Sequence, residues 1–116
     1  MDHPFRADDV DVTPAEVQRR HAAGEIQLID VREPYERDAG YIAGSRHIEL
    51  ERLASNAETL PRDRAIVFHC RLGARSALAT RAFRSAGYDA WSMRGGIQAW
   101  HDLGLPVAGR GEVADH

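Results

Sequence analysis

The chain has 116 residues and a net charge of −3, with 43% hydrophobic, 28% charged and 7% aromatic residues. This length suits one domain with a single core, and the charged fraction is that of an ordinary globular protein rather than a disordered one. The acidic balance argues against nucleic-acid binding, which normally requires an excess of positive charge. All 15 basic residues are arginine, and the absence of lysine excludes lysine Schiff-base chemistry.

The sequence predicts neither a membrane-spanning segment nor a secretory signal. No apolar run approaches the ~20 residues that cross a bilayer, and the polar N-terminus has no feature of a secretory signal. A single cysteine cannot form an internal disulfide. The sequence therefore predicts a soluble, cytoplasmic domain over residues 12–108, with flexible tails at residues 1–11 and 109–116.

The first half of the chain predicts one buried strand among helical segments. Thr13-Pro14-Ala15-Glu16 is typical of a helix start, with the threonine as cap, the proline in the first position and the glutamate completing a capping box. Ile26 to Val31 is a short β-branched, apolar run that indicates a strand. Residues 30–38 allow one helical turn, and 41–48 contain a short extended piece. Residues 50–60 have helical leucine and alanine spacing, ended by a proline.

The second half alternates strands with helices. Ala65 to His69 predicts a second buried strand, residues 70–75 form a loop, and a helix follows from Ser76. Five side chains share the predicted apolar face of that helix: Leu78, Ala79, Ala82, Phe83 and Ala86. Ala90 to Met93 predicts a third strand, and a last helix follows with Ile97 and Trp100 facing inward. Phe83, Trp91 and Trp100 are expected in the core. This alternation predicts an α/β fold with a parallel sheet covered on both faces.

The chemistry concentrates in the segment His69-Cys70-Arg71-Leu72-Gly73-Ala74-Arg75-Ser76. A buried strand ends there and a helix begins, at the edge of the sheet where α/β proteins bind ligands. The unpaired N–H groups and the dipole of a helix N-terminus favour an anion. Arg71 and Arg75 add two positive charges, and such surroundings lower the pKa of a cysteine. We therefore expect Cys70 to be a thiolate nucleophile beside an anion site.

Four blocks, in this order, give the chain a resemblance to the rhodanese (sulfurtransferase) family, and in particular to its single-domain members. They are Leu28 to Glu33 (LIDVRE), Gly40 to Ile48 (GYIAGSRHI), the Cys70 loop ending in Arg75-Ser76, and Arg94 to Trp100 (RGGIQAW) followed by Gly104-Leu105-Pro106-Val107. Two positions depart from the family pattern: Tyr41 replaces the usual histidine and Glu49 the usual proline.

The resemblance implies a small parallel sheet of about five strands with helices on both faces. It also implies that Cys70 is catalytic and takes a sulfane sulfur from an anionic donor such as thiosulfate, holding it as a persulfide. The backbone amides of six residues would cradle the donor: Arg71, Leu72, Gly73, Ala74, Arg75 and Ser76. No metal or organic cofactor is implied, and the protein is expected to act as a monomer.

Two arginines outside the loop are candidate accessory residues. Arg32 follows the first strand, where Asp30 and Arg32 are expected mainly to tie the strand end to neighbouring loops, with a role toward substrate as the alternative. Arg94 follows the third strand and is expected to add positive charge at the same edge of the sheet as Cys70.

Three other functions remain open at this point. The family is related to phosphatases with the signature His-Cys-x5-Arg, and arsenate reductase chemistry is similar. Here only four residues separate Cys70 from Arg75, so the ring of amides suits a sulfur atom better than a phosphate. A non-catalytic binding module usually lacks the cysteine. A papain-like pair would need His47 or His69 as general base.

The histidines and the cysteine also bear on metals and on partners. The six histidines are scattered without metal-ligand spacing, so no metal site is predicted. A lone cysteine cannot resolve its own persulfide as a disulfide. The sulfur acceptor is therefore expected to be external, either a small thiol, cyanide or another protein.

Overall fold

The computed structural model describes residues 10–114. Its five strands are β1 Asp11–Val12, β2 Ile26–Asp30, β3 Arg46–His47, β4 Ala65–His69 and β5 Ala90–Met93. Its five α-helices are α1 Pro14–Ala22, α2 Pro34–Ala39, α3 Leu53–Asn56, α4 Ala74–Ser85 and α5 Gly96–Asp102. Two 3₁₀ turns, Leu50–Arg52 and Ala57–Thr59, flank α3. These helices are too short to cross a bilayer within the described part of the chain.

The strands form one parallel sheet in the order β1-β5-β4-β2-β3. The predicted α/β class and parallel sheet are confirmed. Asp30 at the end of β2 pairs with His69 at the end of β4. Because the strands are parallel, their carboxyl ends meet at one edge, and Cys70 follows directly from the central strand there.

Two apolar layers cover the sheet. One lies under α1 and α5 and contains Val17, Leu28, Val67, Ile97 and Trp100 among others. The other lies under α3 and α4 and contains Ile66, Phe68, Cys70, Ala79 and Phe83 among others. Phe83, Trp91 and Trp100 are 6%, 3% and 3% exposed, as expected for core residues.

Helix α1 begins where the sequence predicts it. Thr13 caps it by accepting the backbone N–H of Glu16 at 3.3 Å. The Glu16 carboxylate turns instead to Arg19 and Arg20 in the next turn, so it serves ion pairs rather than the predicted capping box. A complete capping box forms at α2, between Glu33 and Glu36.

Two helical predictions need correction. Residues 50–60 do not form one helix, because a single α-helical turn lies between two 3₁₀ turns. In α4 the side chains turned to the sheet are Ser76, Ala79, Thr80 and Phe83. Leu78 is 60% exposed, and Ala82 and Ala86 are exposed as well. The apolar spacing in α4 allowed two faces, and the buried one contains Ser76, which contacts the Cys70 loop.

The chain ends show contacts that the sequence did not predict. Most of the predicted N-terminal tail lies outside the described residues, but Asp11 belongs to β1, which pairs with β5. In the segment predicted as a C-terminal tail, the Glu112 N–H donates to the Ala39 carbonyl at 3.2 Å. A Cβ at Gly40 would clash with the backbone carbonyl of Glu112, so this glycine admits the segment beside α2.

The contrast between buried and exposed leucines is testable. Leu28→Ala removes a side chain that is 3% exposed, and we expect the free energy of unfolding to fall by about 2–5 kcal/mol. Leu78→Ala, at 60% exposure, should change it by less than about 0.5 kcal/mol. Urea unfolding measures both. Equal losses in the two variants would contradict the packing described for α4.

Candidate active site

The loop between β4 and α4 wraps around the sulfur of Cys70. It turns at Gly73, whose φ of +118° lies in the left-handed region that glycine adopts at low cost. The turn aims two backbone N–H groups at the cysteine: Gly73 N lies 3.1 Å and Ser76 N 3.4 Å from Sγ. Such donors at a helix N-terminus stabilise negative charge on the sulfur.

A layer of buried hydroxyl groups lies behind the sulfur. The Cys70 thiol donates to Ser76 Oγ at 3.5 Å, and Ser76 Oγ in turn donates to the Gly73 carbonyl at 3.1 Å. Ser92 Oγ lies 2.8 Å from Ser76 Oγ and is 1% exposed. When Cys70 is ionised, the same Ser76 hydroxyl can turn and donate to it. Sequence reasoning missed Ser92, which has no motif around it.

Cys70 lies at the bottom of its loop rather than at the protein surface. The residue is 1% exposed and belongs to the apolar layer under α4. The exposed part of the site is the loop itself, where Leu72 is 57% exposed. The N–H groups of Ala74 and Arg75, in the first turn of α4, make no hydrogen bond within residues 10–114. They are free to bind a ligand.

Helix α5 holds the loop from the other side. The Ile97 N–H donates to the Cys70 carbonyl at 2.9 Å, and the Gln98 N–H donates to the Arg71 carbonyl at 3.1 Å. This approach requires glycine at position 96, because a Cβ there would lie 2.5 Å from the Cys70 carbonyl oxygen. Gly96 therefore allows the N-terminus of α5 to pack against the Cys70 loop.

The two loop arginines lie in different surroundings. Both guanidinium nitrogens Nη1 and Nη2 of Arg75 donate to the Glu36 carboxylate, at 2.7 and 2.9 Å. Arg71 forms no ion pair within the described residues, and its Nε is buried without a hydrogen-bond partner. The expectation that both arginines add free positive charge at Cys70 is thus wrong for Arg75, whose charge is compensated by Glu36, and stays a prediction for Arg71. Glu36 was not a sequence candidate.

Arg32 is not a substrate-facing residue. It is fully buried, and its guanidinium donates to both carboxylate oxygens of Asp30, each at 2.8 Å. It also donates to the carbonyls of Glu36 and Gly40. Although burial raises the pKa of the Asp30 carboxyl, the hydrogen bonds from Arg32 outweigh it and hold that pKa at about 2. The interpretation that Asp30 and Arg32 tie the strand end to neighbouring loops fits these contacts.

Arg94 lies beside β1, at the edge strand of the sheet. Its side chain is 56% exposed and its Nε lies 3.8 Å from the Asp11 carboxylate. Its backbone N–H donates to the Val12 carbonyl at 2.8 Å. These contacts bind β5 to β1, so the structure gives Arg94 an ion-pair partner outside the Cys70 loop.

Neither histidine considered as a general base is paired with Cys70. His69 lies in β4 immediately before Cys70, and adjacent residues of an extended chain point to opposite faces. Its ring is fully buried, and within residues 10–114 neither ring nitrogen has a hydrogen-bond partner. Burial lowers the pKa of His69 to about 4, against the opposing charge of Asp30. His47 Nε2 instead lies 2.7 Å from the Arg32 carbonyl.

Potential metal ligands occur together at one place in the described residues. Glu33, Glu49 and Glu51 bring their carboxylate oxygens within 4.8 Å of one another. Glu33 and Glu51 are exposed, and no histidine or cysteine joins them. A cluster of solvated carboxylates is a common surface feature and gives no indication of a bound ion by itself.

A model of the rhodanese-like domain matches residues 13–103 of the chain. The chain belongs to this family. The resemblance inferred from four sequence blocks is therefore confirmed, and so is the five-stranded parallel sheet that it implied.

This rhodanese-like chain is similar to proteins of different length. It is 40% identical over 99 residues to an HTH-type transcriptional regulator of Mycobacterium tuberculosis, covering 83% of this chain but only 43% of the regulator. It is 34% identical over 91 residues to a sulfurtransferase of Allochromatium vinosum, covering 78% of this chain and 85% of that protein. A rhodanese-related protein of Thermoplasma volcanium has the same fold, with a TM-score of 0.80, 31% identity, and coverage of 85% and 97%.

The close approach at Gly96 predicts an effect on stability. Gly96→Ala and Gly24→Ala both place a side chain at positive φ, but a Cβ at Gly24 meets nothing within 4 Å. We expect Gly96→Ala to cost about 1–3 kcal/mol more than the control, because the loop carbonyls must move. Urea unfolding compares the two variants. Equal costs would show that α5 does not constrain the loop.

His69 predicts a pH dependence of stability. Its pKa is about 4 in the folded state against the ordinary 6.5, so the unfolded chain binds the extra proton between these values. Stability is complete above pH 6.5 and falls as the pH drops toward 4, by about 2 kcal/mol between pH 7 and pH 5. The charged groups around this ring are Asp30, Arg32 and Arg37.

Urea unfolding at both pH values tests this dependence. His69→Leu should remove most of the drop between pH 7 and pH 5, since leucine does not titrate. His101→Gln, at an exposed position, should retain it. A drop of the same size in His69→Leu would assign the effect to other groups.

Proposed function

We propose that this domain is a sulfurtransferase that carries a sulfane sulfur as a persulfide on Cys70. The observation that carries the proposal is the pair of backbone N–H groups, from Gly73 and Ser76, directed at the Cys70 sulfur. The sulfurtransferase name of a relative that this chain covers over 85% of its length supports the same chemistry. The chain spans less than half of the longer regulator, so the activity of the full protein is part of this proposal.

The first step loads the sulfur. The Cys70 thiolate attacks the outer sulfur of thiosulfate, forming a new S–S bond while the S–S bond of thiosulfate breaks and its electron pair leaves with sulfite. A thiolate and a thiosulfate dianion become a persulfide anion and a sulfite dianion, so charge and atoms balance. In this proposal the N–H groups of Ala74 and Arg75, which have no partner within the described residues, bind the terminal sulfur.

The second step delivers the sulfur to an external acceptor. Cyanide or a thiolate attacks the terminal sulfur, the S–S bond to Cys70 breaks, and Cys70 leaves as the thiolate that began the cycle. The chain has one cysteine, so no internal thiol competes for the persulfide. The inner sulfur is buried, which leaves the terminal sulfur as the atom that the acceptor meets.

The arrangement favours sulfur transfer over phosphate chemistry. Four residues lie between Cys70 and Arg75, which makes a small ring of amides. Arg75, the arginine that would bind a phosphate in a phosphatase, has both terminal nitrogens on Glu36. A non-catalytic binding module would have no use for amides directed at a sulfur atom.

Intact-mass measurement tests the proposed cycle. Incubation with thiosulfate should add about 32 Da, the mass of one sulfur atom, and subsequent cyanide should remove it, as expected for a covalent ping-pong intermediate. Cys70→Ser and Cys70→Ala should abolish both the added mass and thiocyanate formation, with urea unfolding showing that the variants remain folded. A sulfur adduct in either variant would refute the role of Cys70.

The same samples distinguish sulfur from phosphorus chemistry. Hydrolysis of an aryl phosphate by the wild-type chain, together with no sulfur adduct from thiosulfate or an alkyl persulfide, would favour the phosphatase alternative. An unmodified cysteine with no activity in either assay would favour the binding module.

A further inference from the structure

Glu36 is a firmly held carboxylate next to the Cys70 loop. Its side chain is 3% exposed and accepts three hydrogen bonds: two from Arg75, at 2.7 and 2.9 Å, and one from the Glu33 N–H at 2.9 Å. Burial raises the pKa of Glu36, but the hydrogen bonds from Arg75 and the Glu33 N–H outweigh it and lower that pKa overall. Glu36 is therefore ionised at neutral pH.

The partner of Glu36 lies within electrostatic range of the sulfur. The hydrogen bonds to Glu36 raise the pKa of the Arg75 guanidinium, and negative charge on Cys70 adds to this rise. Arg75 is thus close enough to attract an anion at Cys70. The negative charge of Glu36, however, offsets most of that attraction. Within the described residues, Arg71 is then the loop arginine that has no carboxylate partner.

This balance bears on which anions the site accepts. The Glu36–Arg75 ion pair adds almost no net charge beside the sulfur, so the backbone amides supply most of the attraction for an incoming anion. Coulombic energy scales with the charge of the incoming group. A dianion such as thiosulfate or phosphate therefore gains less here than at a site where Arg75 is uncompensated, and it is repelled twice as strongly by the thiolate as a monoanion.

We propose that Glu36 is a specificity-determining residue that sets the charge preference of the Cys70 site, so that singly charged organic persulfides (R–S–S⁻) are better donors than dianionic thiosulfate. This inference rests on the proposed sulfurtransferase function for the identity of the donor. The charge preference itself concerns only Cys70 and its surroundings, and it can be measured without any sulfur transfer.

The test compares alkylation of Cys70 by neutral iodoacetamide and by anionic iodoacetate. The ratio of the iodoacetate rate to the iodoacetamide rate cancels any change in the ionised fraction of the thiol. Glu36→Gln keeps the shape of the side chain but removes its charge, and it should raise this ratio about three- to fivefold at low ionic strength. The gain should shrink in high salt.

Matched variants separate charge from structure. Asp38→Asn removes an exposed carboxylate from the same helix and should leave the ratio within about 1.5-fold of wild type, since exposed charges are screened. Arg75→Gln should lower the ratio, and the double variant Glu36→Gln with Arg75→Gln should restore it to near the wild-type value. If Glu36→Gln fails to fold, the fall in Arg75→Gln tests the same electrostatic effect.

A second experiment measures the rate of sulfur loading of the same proteins from thiosulfate and from an alkyl persulfide. If Glu36→Gln multiplies the loading rate of a monoanionic donor by a factor f, it should multiply the loading rate from thiosulfate by about f squared. The reason is that the electrostatic energy of the donor at the site doubles with its charge. The ratio of the loading rate from the alkyl persulfide to that from thiosulfate should therefore fall. An equal gain for both donors would refute the proposed role in donor choice.

The outcomes distinguish this inference from the proposed function. An unchanged alkylation ratio in a folded Glu36→Gln protein would overturn the inference and reduce Glu36 to a structural ion pair, whatever the turnover. A changed ratio with no sulfur loading from either donor would support the charge role and count against the sulfurtransferase function.

Discussion

The hydrogen bonds from backbone amides to the Cys70 sulfur are the interaction on which the site depends. They require the loop to curl at Gly73 and α4 to begin at position 74, so that the first turn points its N–H groups inward. They also require the loop carbonyls to be held from behind, which Ile97 and Gln98 do from α5. A parallel sheet makes this possible, because α4 and α5 both start at the edge where the central strand ends.

Most of the buried charged side chains around this loop form ion pairs with one another. Asp30 and Arg32 are both fully buried and satisfy each other, while Glu36 joins Arg75. Buried ion pairs add little net stability, but the loss of one partner is costly because an unpaired charge remains. Helix α2 contributes to both pairs, since its backbone accepts from Arg32 and its side chain from Arg75. The short helix thereby connects the end of β2 with the Cys70 loop.

The burial of Cys70 suits a sulfur carrier. The inner sulfur has its amide donors and the Ser76 hydroxyl already in place, so negative charge on it needs no rearrangement of solvent. The exposed part of this site is the loop, where Leu72 is 57% exposed. Protein surroundings of this kind keep a reactive sulfur away from bulk water while its outer end remains available to an acceptor.

The amino-acid sequence by itself determined the features that depend on neighbours along the chain. It predicted the alternation of strands and helices, the cysteine between a buried strand and a helix N-terminus, and the glycine-containing loop, because local spacing encodes them. Only the tertiary structure decided the partners of the loop. Glu36 lies 39 residues from Arg75 and Ser92 lies 16 residues from Ser76, and no local pattern specifies such pairs. The buried face of α4 and the two-residue strand β1 were likewise settled by packing, since their sequences fit more than one arrangement.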